Sequence, residues 1–225
     1  MFRDRHDAAM RLSAGLKKYT GKNPLVMAIP RGSVVMAKRI AERLGGELDV
    51  VLVRKLRAPL QPELAIGAID ESGWVCHCDQ AANIPVSPEY LEAEKQGQLE
   101  TLRKQGLRYA AVRRPIDPAG RIVIVVDDGL ATGATMAAAL HGLRARQPGR
   151  LICAVPVAAA VALKRIAPFA DEVVCLDVSH FFRAISQFYQ HFPQVTDEEV
   201  IATLAAQSPV DTPFLQPSSD RSNMR

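Results

Sequence analysis

Short apolar runs alternate with amphipathic stretches along most of this chain. The apolar runs have strand length and predict five buried strands, at 25–29, 48–53, 121–126, 151–157 and 172–176. The stretches around them predict helices at 4–20, 34–44, 135–146 and 158–166. Strands that alternate with helices are typical of a parallel sheet covered on both faces. The pattern therefore predicts an α/β fold with a doubly wound, mainly parallel five-stranded sheet.

The segment between the second and third predicted strands interrupts this alternation. Residues 54–87 contain several Pro and Gly and only short β-like runs, which predicts a hairpin or a long loop. Residues 88–112 are polar and favour a helix, with Pro88 in its first turn. We expect one domain over residues 1–206 that carries an insert at about 57–115.

The C-terminal residues predict one short helix followed by a tail. Residues 197–206 have helical character, and either Thr196 or Asp197 is a suitable N-cap. Residues 207–225 are rich in Pro and Ser, which predicts a disordered tail.

Composition narrows the classes of partner. The 225 residues include 28 Lys and Arg against 24 Asp and Glu, a net charge of +4 that suits a small anionic ligand. That excess is too small to indicate nucleic acid, and aromatics at 5% offer few stacking platforms for bases. No apolar run is long enough to cross a membrane, and the first residues do not resemble a secretion signal. We expect a cytoplasmic protein.

The four cysteines fit a reducing compartment. Cys153 and Cys175 lie in apolar runs and are predicted to be buried. Cys76 and Cys78 flank His77, which raises the alternative of a zinc site. Because a second ligand cluster is missing, we expect exposed, reduced thiols there instead.

The third predicted strand leads directly into the most informative segment of the chain. Two carboxylates, Asp127 and Asp128, follow the strand, and a turn with two glycines then leads to Thr132 and Thr135 at a helix start. Backbone N–H groups at such a turn, the positive end of the helix and the two hydroxyls make a pocket for a dianionic phosphate. The carboxylates need a cation or hydroxyl donors, and a sugar phosphate provides a diol. The alternative is an ordinary strand-to-helix turn capped by Thr and Asp.

The segment 123–135 resembles the 5-phosphoribosyl-1-pyrophosphate (PRPP) motif of the type I phosphoribosyltransferases. It has the family's four apolar residues, two acids, three further residues and then Thr-Gly-x-Thr. The resemblance implies displacement of pyrophosphate from PRPP by a nitrogenous, nucleobase-like acceptor, with Mg²⁺ as cofactor. It implies that Asp127 and Asp128 hold the ribose hydroxyls and reach the metal only through PRPP and water. The 5-phosphate would then be held by Ala131, Thr132, Gly133, Ala134 and Thr135.

Two further segments match the family's pyrophosphate site. The first predicted strand ends at Pro30, and Arg31, Gly32 and Ser33 form the loop that would bind pyrophosphate through backbone amides and the Arg31 guanidinium. By its position alone, Ser33 could also cap the next helix. The second predicted strand ends in Arg54 and Lys55, like the Arg-Lys pair of the orotate and adenine branches. The resemblance implies that Lys55 acts with the two aspartates in catalysis, and that Arg54 contacts pyrophosphate. For the loop after the first strand, the alternative is a simple strand-to-helix turn with a solvated Arg31; for Arg54 and Lys55, it is a solvated basic strand end.

A narrower resemblance extends the match to residues 2–204. Segments 63–68 and 187–192 are similar to stand-alone predicted bacterial phosphoribosyltransferases, although packing alone explains their apolar residues. In the family, an insert at the place of 57–115 is a flexible loop that closes over the reaction and excludes water. The chain ends form a small hood, and homodimers are common.

The acceptor site is the least defined part of the prediction. Asp177, Phe181 and Phe182 stand where purine enzymes carry an acid and an aromatic near the base. Asp177 could equally cap a helix beginning near Ser179. The same motif also occurs in non-catalytic PRPP-sensing regulators, and a nucleotide phosphorylase or hydrolase is a further alternative.

Overall fold

The computed structural model describes residues 1–78 and 84–206, with the side chain of residue 62 left aside. The predicted tail, 207–225, lies outside the described residues. The helices are α1 (Arg5–Gly15), α2 (Val34–Leu44), α3 (Pro88–Ala110), α4 (Ala134–Arg144), α5 (Ala160–Ile166) and α6 (Asp197–Ala205). The strands are β1 (Leu25–Ala28), β2 (Glu47–Val50), β3 (Val53–Ala58), β4 (Gln61–Asp70), β5 (Val75–His77), β6 (Ile122–Val126), β7 (Arg150–Ala159) and β8 (Glu172–Ser179). Single 3₁₀ turns occur at Lys17–Tyr19, Ala167–Phe169 and Ile185–Phe188.

The larger sheet confirms the predicted fold class. Its five strands are parallel and follow the order β2-β1-β6-β7-β8. From β1 the chain moves outward to β2, and from β6 it moves the opposite way through β7 to β8. Right-handed crossovers therefore place α2 on one face and α4 with α5 on the other. The strand order reverses between β1 and β6, and this is the point where open α/β sheets bind ligands.

The predicted second strand was wrong in extent. Strand β2 ends at Val50, and the chain then enters β3, which belongs to a separate sheet. Val51 and Leu52 continue the apolar run because they are buried; they belong to neither sheet, although Val51 N–H still donates to the Ala28 carbonyl at 2.9 Å. The Asp49 carboxylate accepts hydrogen bonds from the backbone N–H groups of Val50 and Ile116, which holds the chain at this bend.

The insert forms an antiparallel three-stranded sheet, β3-β4-β5, followed by the long helix α3. Its hairpin is anchored to α4 by Asp70, which accepts a hydrogen bond from Ser72 and lies 3.0 Å from His141 Nδ1. Trp74 stacks on the His141 ring with centroids 4.0 Å apart. Ser87 caps α3 through Tyr90 N–H, and Pro88 stands in the first turn as predicted.

The two ends of the described chain meet beside the larger sheet. Phe2 exchanges backbone hydrogen bonds with Phe188 and Gln190, and His191 N–H donates to the Arg3 carbonyl. Thr196, one of the two predicted caps, accepts from Glu199 N–H at the start of α6. None of the described helices has the length and apolar character that a membrane span requires.

Candidate functional site

The candidate site begins where β1 and β6 end side by side. Ala28 pairs with Val126 at the last register position of the two strands. Ile29 N–H then donates to the Val126 carbonyl at 3.2 Å, which keeps the two following loops together. The loop after β1 and the two carboxylates after β6 therefore face the same crevice.

Asp127 and Asp128 occupy different environments although they are neighbours. Asp128 N–H donates to Asp127 Oδ1 at 2.9 Å. Burial, and then the negative charge of Asp128, raise the pKa of Asp127 well above its ordinary value, and the positive charge of Lys55 opposes the shift only in part. The ionised form of Asp127 is therefore destabilised in this structure, and positive charge or hydroxyl donors from a ligand would stabilise it.

Asp128 is held by residues from both ends of the chain. Arg5, at the start of α1, donates to Asp128 Oδ2 from Nε at 3.1 Å and from Nη2 at 2.9 Å. The third contact of this guanidinium, from Nη1, goes to the Pro193 carbonyl at 2.6 Å, and its face lies 3.7 Å from the Phe192 ring centroid. Tyr189 Oη donates to the backbone carbonyl of Asp128 at 2.7 Å. These contacts fix the position of Asp128 before any ligand binds.

The turn after the two acids has the geometry of an anion site. Gly133 adopts a left-handed conformation with φ of 78° and is the N-cap of α4. The N-cap residue has no side chain to cap this helix start, so the first backbone N–H groups after Ala134 are open to a ligand. Leu130 fastens the turn to β7, because it donates to the Val157 carbonyl and accepts from Ala159 N–H. Thr132 Oγ1 accepts from Ala134 N–H at 3.4 Å, which leaves its hydroxyl proton free to donate.

The loop after β1 approaches the acids closely. A Cβ on Gly32 would lie 2.6 Å from Asp128 Oδ2 and 2.7 Å from Arg5 Nη2, so only glycine fits there. The Arg31 side chain is exposed, and the Pro30–Arg31 peptide is cis. Ser33 is 1% exposed, and its hydroxyl donates to the Ile29 carbonyl. Ser33 is the N-cap of α2 by position. Its side chain makes no capping hydrogen bond, contrary to the cap that its position suggested.

A cavity of about 250 Å³ joins these parts. It is lined by residues 29–32, Lys55, residues 127–133, Thr135, Met136 and Ile185. The structure therefore brings together the predicted residues Arg31, Gly32, Lys55, Asp127, Asp128, Ala131, Thr132, Gly133 and Thr135. Ala134 and Ser33 are buried beside the cavity and do not line it.

Arg54 and Lys55 are neighbours on β3 and share only part of their surroundings. They do not end the second strand of the large sheet, as the sequence suggested; they begin the small one. Lys55 lines the cavity beside Asp127, Arg54 lines a cavity next to α3, and both residues line a third cavity. The Arg54 Nε donates to Gln98 Oε1 on α3 at 3.0 Å.

The predicted acceptor residues lie away from this cavity. Asp177 is an exposed residue within β8, so no helix begins near Ser179 for it to cap. Phe181 is 88% exposed, and Phe182 packs against Phe188 with ring centroids 5.0 Å apart. On that side the cavity is lined by Ile185 instead.

Sequence reasoning missed Arg5 and Ile185. Arg5 stands 123 positions from Asp128, and nothing in its local pattern distinguishes it from a solvated charge in a first helical turn. The segment 187–192 gave a partial signal, because its resemblance to stand-alone phosphoribosyltransferases covers Tyr189 and Phe192.

The Cys76-His77-Cys78 segment differs from its expected exposure. Cys76 and Cys78 are buried, and Cys78 Sγ lies 3.8 Å from Thr132 Oγ1 at the anion turn. These thiols face inward because the strand β5 packs on α4. Within residues 1–78 and 84–206, no three His, Cys, Asp or Glu side chains are grouped as metal ligands.

A family model matches this chain, and so do several known proteins. The model, described as a phosphoribosyl transferase domain, matches residues 3–191. The chain is 40% identical over 205 residues to Rv0571c of Mycobacterium tuberculosis H37Rv, which is provisionally named a phosphoribosyl transferase. That alignment covers 91% of this chain and 46% of the relative, so the chain spans about half the length of this curated relative.

A second curated protein and a solved structure are also similar to this chain. The bifunctional protein PyrR of Chloroflexus aurantiacus is 36% identical over 130 residues, which cover 56% of this chain and 66% of that protein. The crystal structure of TT1426 from Thermus thermophilus is similar with a TM-score of 0.75 and 45% identity. It covers 91% of this chain and 98% of that one.

Proposed function

Because this chain belongs to the phosphoribosyltransferase family, we propose that it transfers the 5-phosphoribosyl group of PRPP to a nitrogenous, nucleobase-like acceptor and releases pyrophosphate. The observation that carries the proposal is the convergence of three separate segments, 29–32, Lys55 and 127–135, on one cavity. Those segments offer an anion turn, two carboxylates, a second anion loop and a lysine. Each matches the chemistry of one part of PRPP.

The roles follow from charge. Residues 131–135 bind the 5-phosphate through the open N–H groups of the turn and the threonine hydroxyls. Asp127 and Asp128 accept from the ribose hydroxyls, and their charge favours a transition state with positive charge at the sugar. Arg31, Gly32 and Lys55 bind pyrophosphate. Such a reaction depends on positioning and electrostatics and needs no protein nucleophile.

The donor set fits an indirectly bound Mg²⁺. Asp128 is already paired with Arg5, whereas Asp127 lines the cavity, and burial and the charge of Asp128 destabilise its ionised form. Two carboxylates are too few to cage the ion alone, which agrees with a metal that keeps water and substrate oxygens as ligands. When bound, Mg²⁺ would neutralise the pyrophosphate leaving group.

Calorimetric titration of PRPP with Mg²⁺ tests the proposal. Wild-type protein should bind PRPP saturably, and the Asp127→Asn/Asp128→Asn variant should lose that binding. Because Asp128 also pairs with Arg5, the variant could lose stability, and a thermal melt is the control that checks whether it is folded. The proposed transferase is supported if wild-type protein binds PRPP and also releases pyrophosphate when a panel of nucleobases is added.

The remaining outcomes separate the alternatives. Tight PRPP binding with no pyrophosphate release from any nucleobase would favour a PRPP sensor. A folded wild-type protein that binds no PRPP would overturn the proposal.

Replacing Gly133 with alanine is expected to weaken the anion turn. A Cβ there would lie 3.1 Å from the Ala162 carbonyl oxygen, and its φ of 78° disfavours any L residue by about 1–2 kcal/mol. The turn must therefore shift, and its N–H groups no longer point at one position. We expect a lower melting temperature and a loss of affinity for ribose 5-phosphate of at least about tenfold.

Gly120→Ala is the matched control. Gly120 has a similar φ of 68°, but no atom lies within 4 Å of its would-be Cβ. It should lose similar stability from backbone strain and keep its affinity for ribose 5-phosphate. Equal affinities in the two variants would argue against a role of the turn in binding phosphate.

A further inference from the structure

A second cavity lies between the insert helix α3, strand β3 and the loop after β1. Its volume is about 500 Å³, larger than the cavity beside the two aspartates. Helix α3 contributes Thr101, Lys104, Gln105 and Arg108 to its wall. This volume lies in the range of small-molecule sites.

The wall of this cavity is strongly cationic. Four basic side chains line it, and Asp197 is the only acidic one among the described lining residues. The cations are Arg31, Arg54, Lys104 and Arg108. Burial and then the charges of Arg57 and Arg31 lower the pKa of Arg54, as expected of a cation that has cations for neighbours.

The one carboxylate is already engaged. Asp197 accepts from Arg108 at 3.3 Å and from the Tyr109 hydroxyl at 3.4 Å, which joins α6 to α3. Arg31 and Lys104 have no carboxylate partner within residues 1–78 and 84–206. Gln98 fixes the Arg54 guanidinium at the cavity wall. The Arg31 guanidinium and the Lys104 ammonium are thus donors that pair with no carboxylate among the described residues, whereas Arg108 is paired with Asp197 and lies 3.9 Å from Glu198.

We propose that this cavity binds a second phosphorylated small molecule, separate from the substrate cavity. Ammonium and guanidinium groups are strong donors to phosphate oxygens, and the guanidinium can donate two parallel hydrogen bonds. Thr101 and Gln105 add neutral polar groups, and Leu52 and Val53 add an apolar wall. A ligand with a phosphate and an organic body, such as a nucleoside monophosphate, fits this combination.

Arg31 connects the two cavities because it lines both. If the proposed function is correct, Arg31 couples the two sites. An anion in the second cavity pairs with the Arg31 guanidinium, which is then less available to bind pyrophosphate. PRPP affinity should then fall when the second ligand binds. By linkage, PRPP must weaken the second ligand by the same factor.

Calorimetric titration of AMP into protein saturated with PRPP and Mg²⁺ tests the second site, since PRPP then fills the substrate cavity. Wild-type protein should bind AMP, and Lys104→Gln/Arg108→Gln should weaken AMP at least about tenfold, as expected for lost charge-assisted bonds. Lys104→Gln alone, which leaves the Arg108–Asp197 pair intact, should weaken it by a smaller factor. Arg103→Gln, an exposed position of α3 outside the cavity lining, should leave AMP affinity within about twofold, the spread usual for surface substitutions.

The PRPP titration of the same variants distinguishes the remaining outcomes. PRPP affinity measured without AMP should be unchanged by the α3 substitutions; an equal loss of PRPP and AMP would make this cavity part of the substrate site and overturn the proposal. Absence of AMP binding to wild-type protein would also overturn it. AMP binding that depends on Lys104 in a protein that binds no PRPP would uphold the second site and reject the proposed transferase.

Discussion

Replacing Asp127 with asparagine should lower the rate of pyrophosphate release by about 100-fold to 1000-fold and at the same time stabilise the folded protein. The rate falls because the transition state loses a negative charge beside the sugar. Stability rises because burial and the charge of Asp128 raise the pKa of Asp127, so its ionised form is costly at neutral pH. Asparagine has the same shape, and its Oδ1 still accepts the Asp128 N–H. Initial rates with the best acceptor of a nucleobase screen, and thermal melts, measure the two effects.

The dependence of this stabilisation on pH follows from the sign of the shift. Because the folded pKa of Asp127 lies above the unfolded value of 3.8, the aspartate contributes stability at low pH and loses it as pH rises through the folded pKa. The gain from Asp127→Asn should therefore grow with pH across that interval and level off above it.

Asp171→Asn is the control of opposite sign. Hydrogen bonds from Arg144 and then from Leu151 N–H lower the pKa of Asp171, so this carboxylate contributes stability above its unfolded pKa. Its replacement should lower the melting temperature at neutral pH and leave pyrophosphate release unchanged. If Asp127→Asn instead destabilised the protein, or kept the wild-type rate, the role given to this carboxylate would be wrong.

The parts of the fold that depend on local sequence could be predicted. The strand-helix alternation gives the five-stranded sheet, because each buried strand is a short continuous apolar run. The order of residues at 122–135 places two acids and a helix start after a strand, and the structure has that arrangement. Both features depend on residues that are close together in the sequence.

The errors arose where burial and hydrogen bonding are decided by distant residues. The apolar run 48–53 gives no sign that pairing with β1 stops at Val50, since Val51 and Leu52 are buried in either arrangement. Ser33 has the residue type and place of a helix cap, yet its hydroxyl donates to the Ile29 carbonyl instead. Cys76 and Cys78 are buried only because α4 covers β5.

Arg5 contacts Asp128 across 123 positions of the chain, and no local sequence pattern predicts this contact. Its replacement is expected to have the second large effect, a loss of stability and of PRPP affinity. Both carboxylate and guanidinium are buried, with side chains 12% and 9% exposed. Arg5→Gln leaves Asp128 buried without its cation, and breaking such a pair costs about 3–5 kcal/mol. We expect a comparable loss in the free energy of unfolding, measured by urea denaturation, and a weaker affinity for PRPP.

Arg11→Gln is the matched control on the same helix. Arg11 pairs with Asp7 at 2.8 Å, but its side chain is 53% exposed, so the loss should be about 0–1 kcal/mol with PRPP affinity unchanged. In the Asp128→Asn background, Arg5→Gln should cost less than in wild type, since no buried carboxylate remains to be neutralised.

If Arg5 positions Asp128 for binding, its replacement should change PRPP affinity separately from the stability of the fold. Arg5 Nε and Nη2 both donate to Asp128 Oδ2, so Arg5→Gln should weaken PRPP binding even under conditions in which the variant is fully folded. Arg5→Lys keeps the charge but lacks the second nitrogen that contacts Oδ2, and it should restore most of the stability and less of the PRPP affinity. If Arg5→Lys recovered stability and PRPP affinity in equal proportion, Arg5 would serve the fold and not the orientation of Asp128.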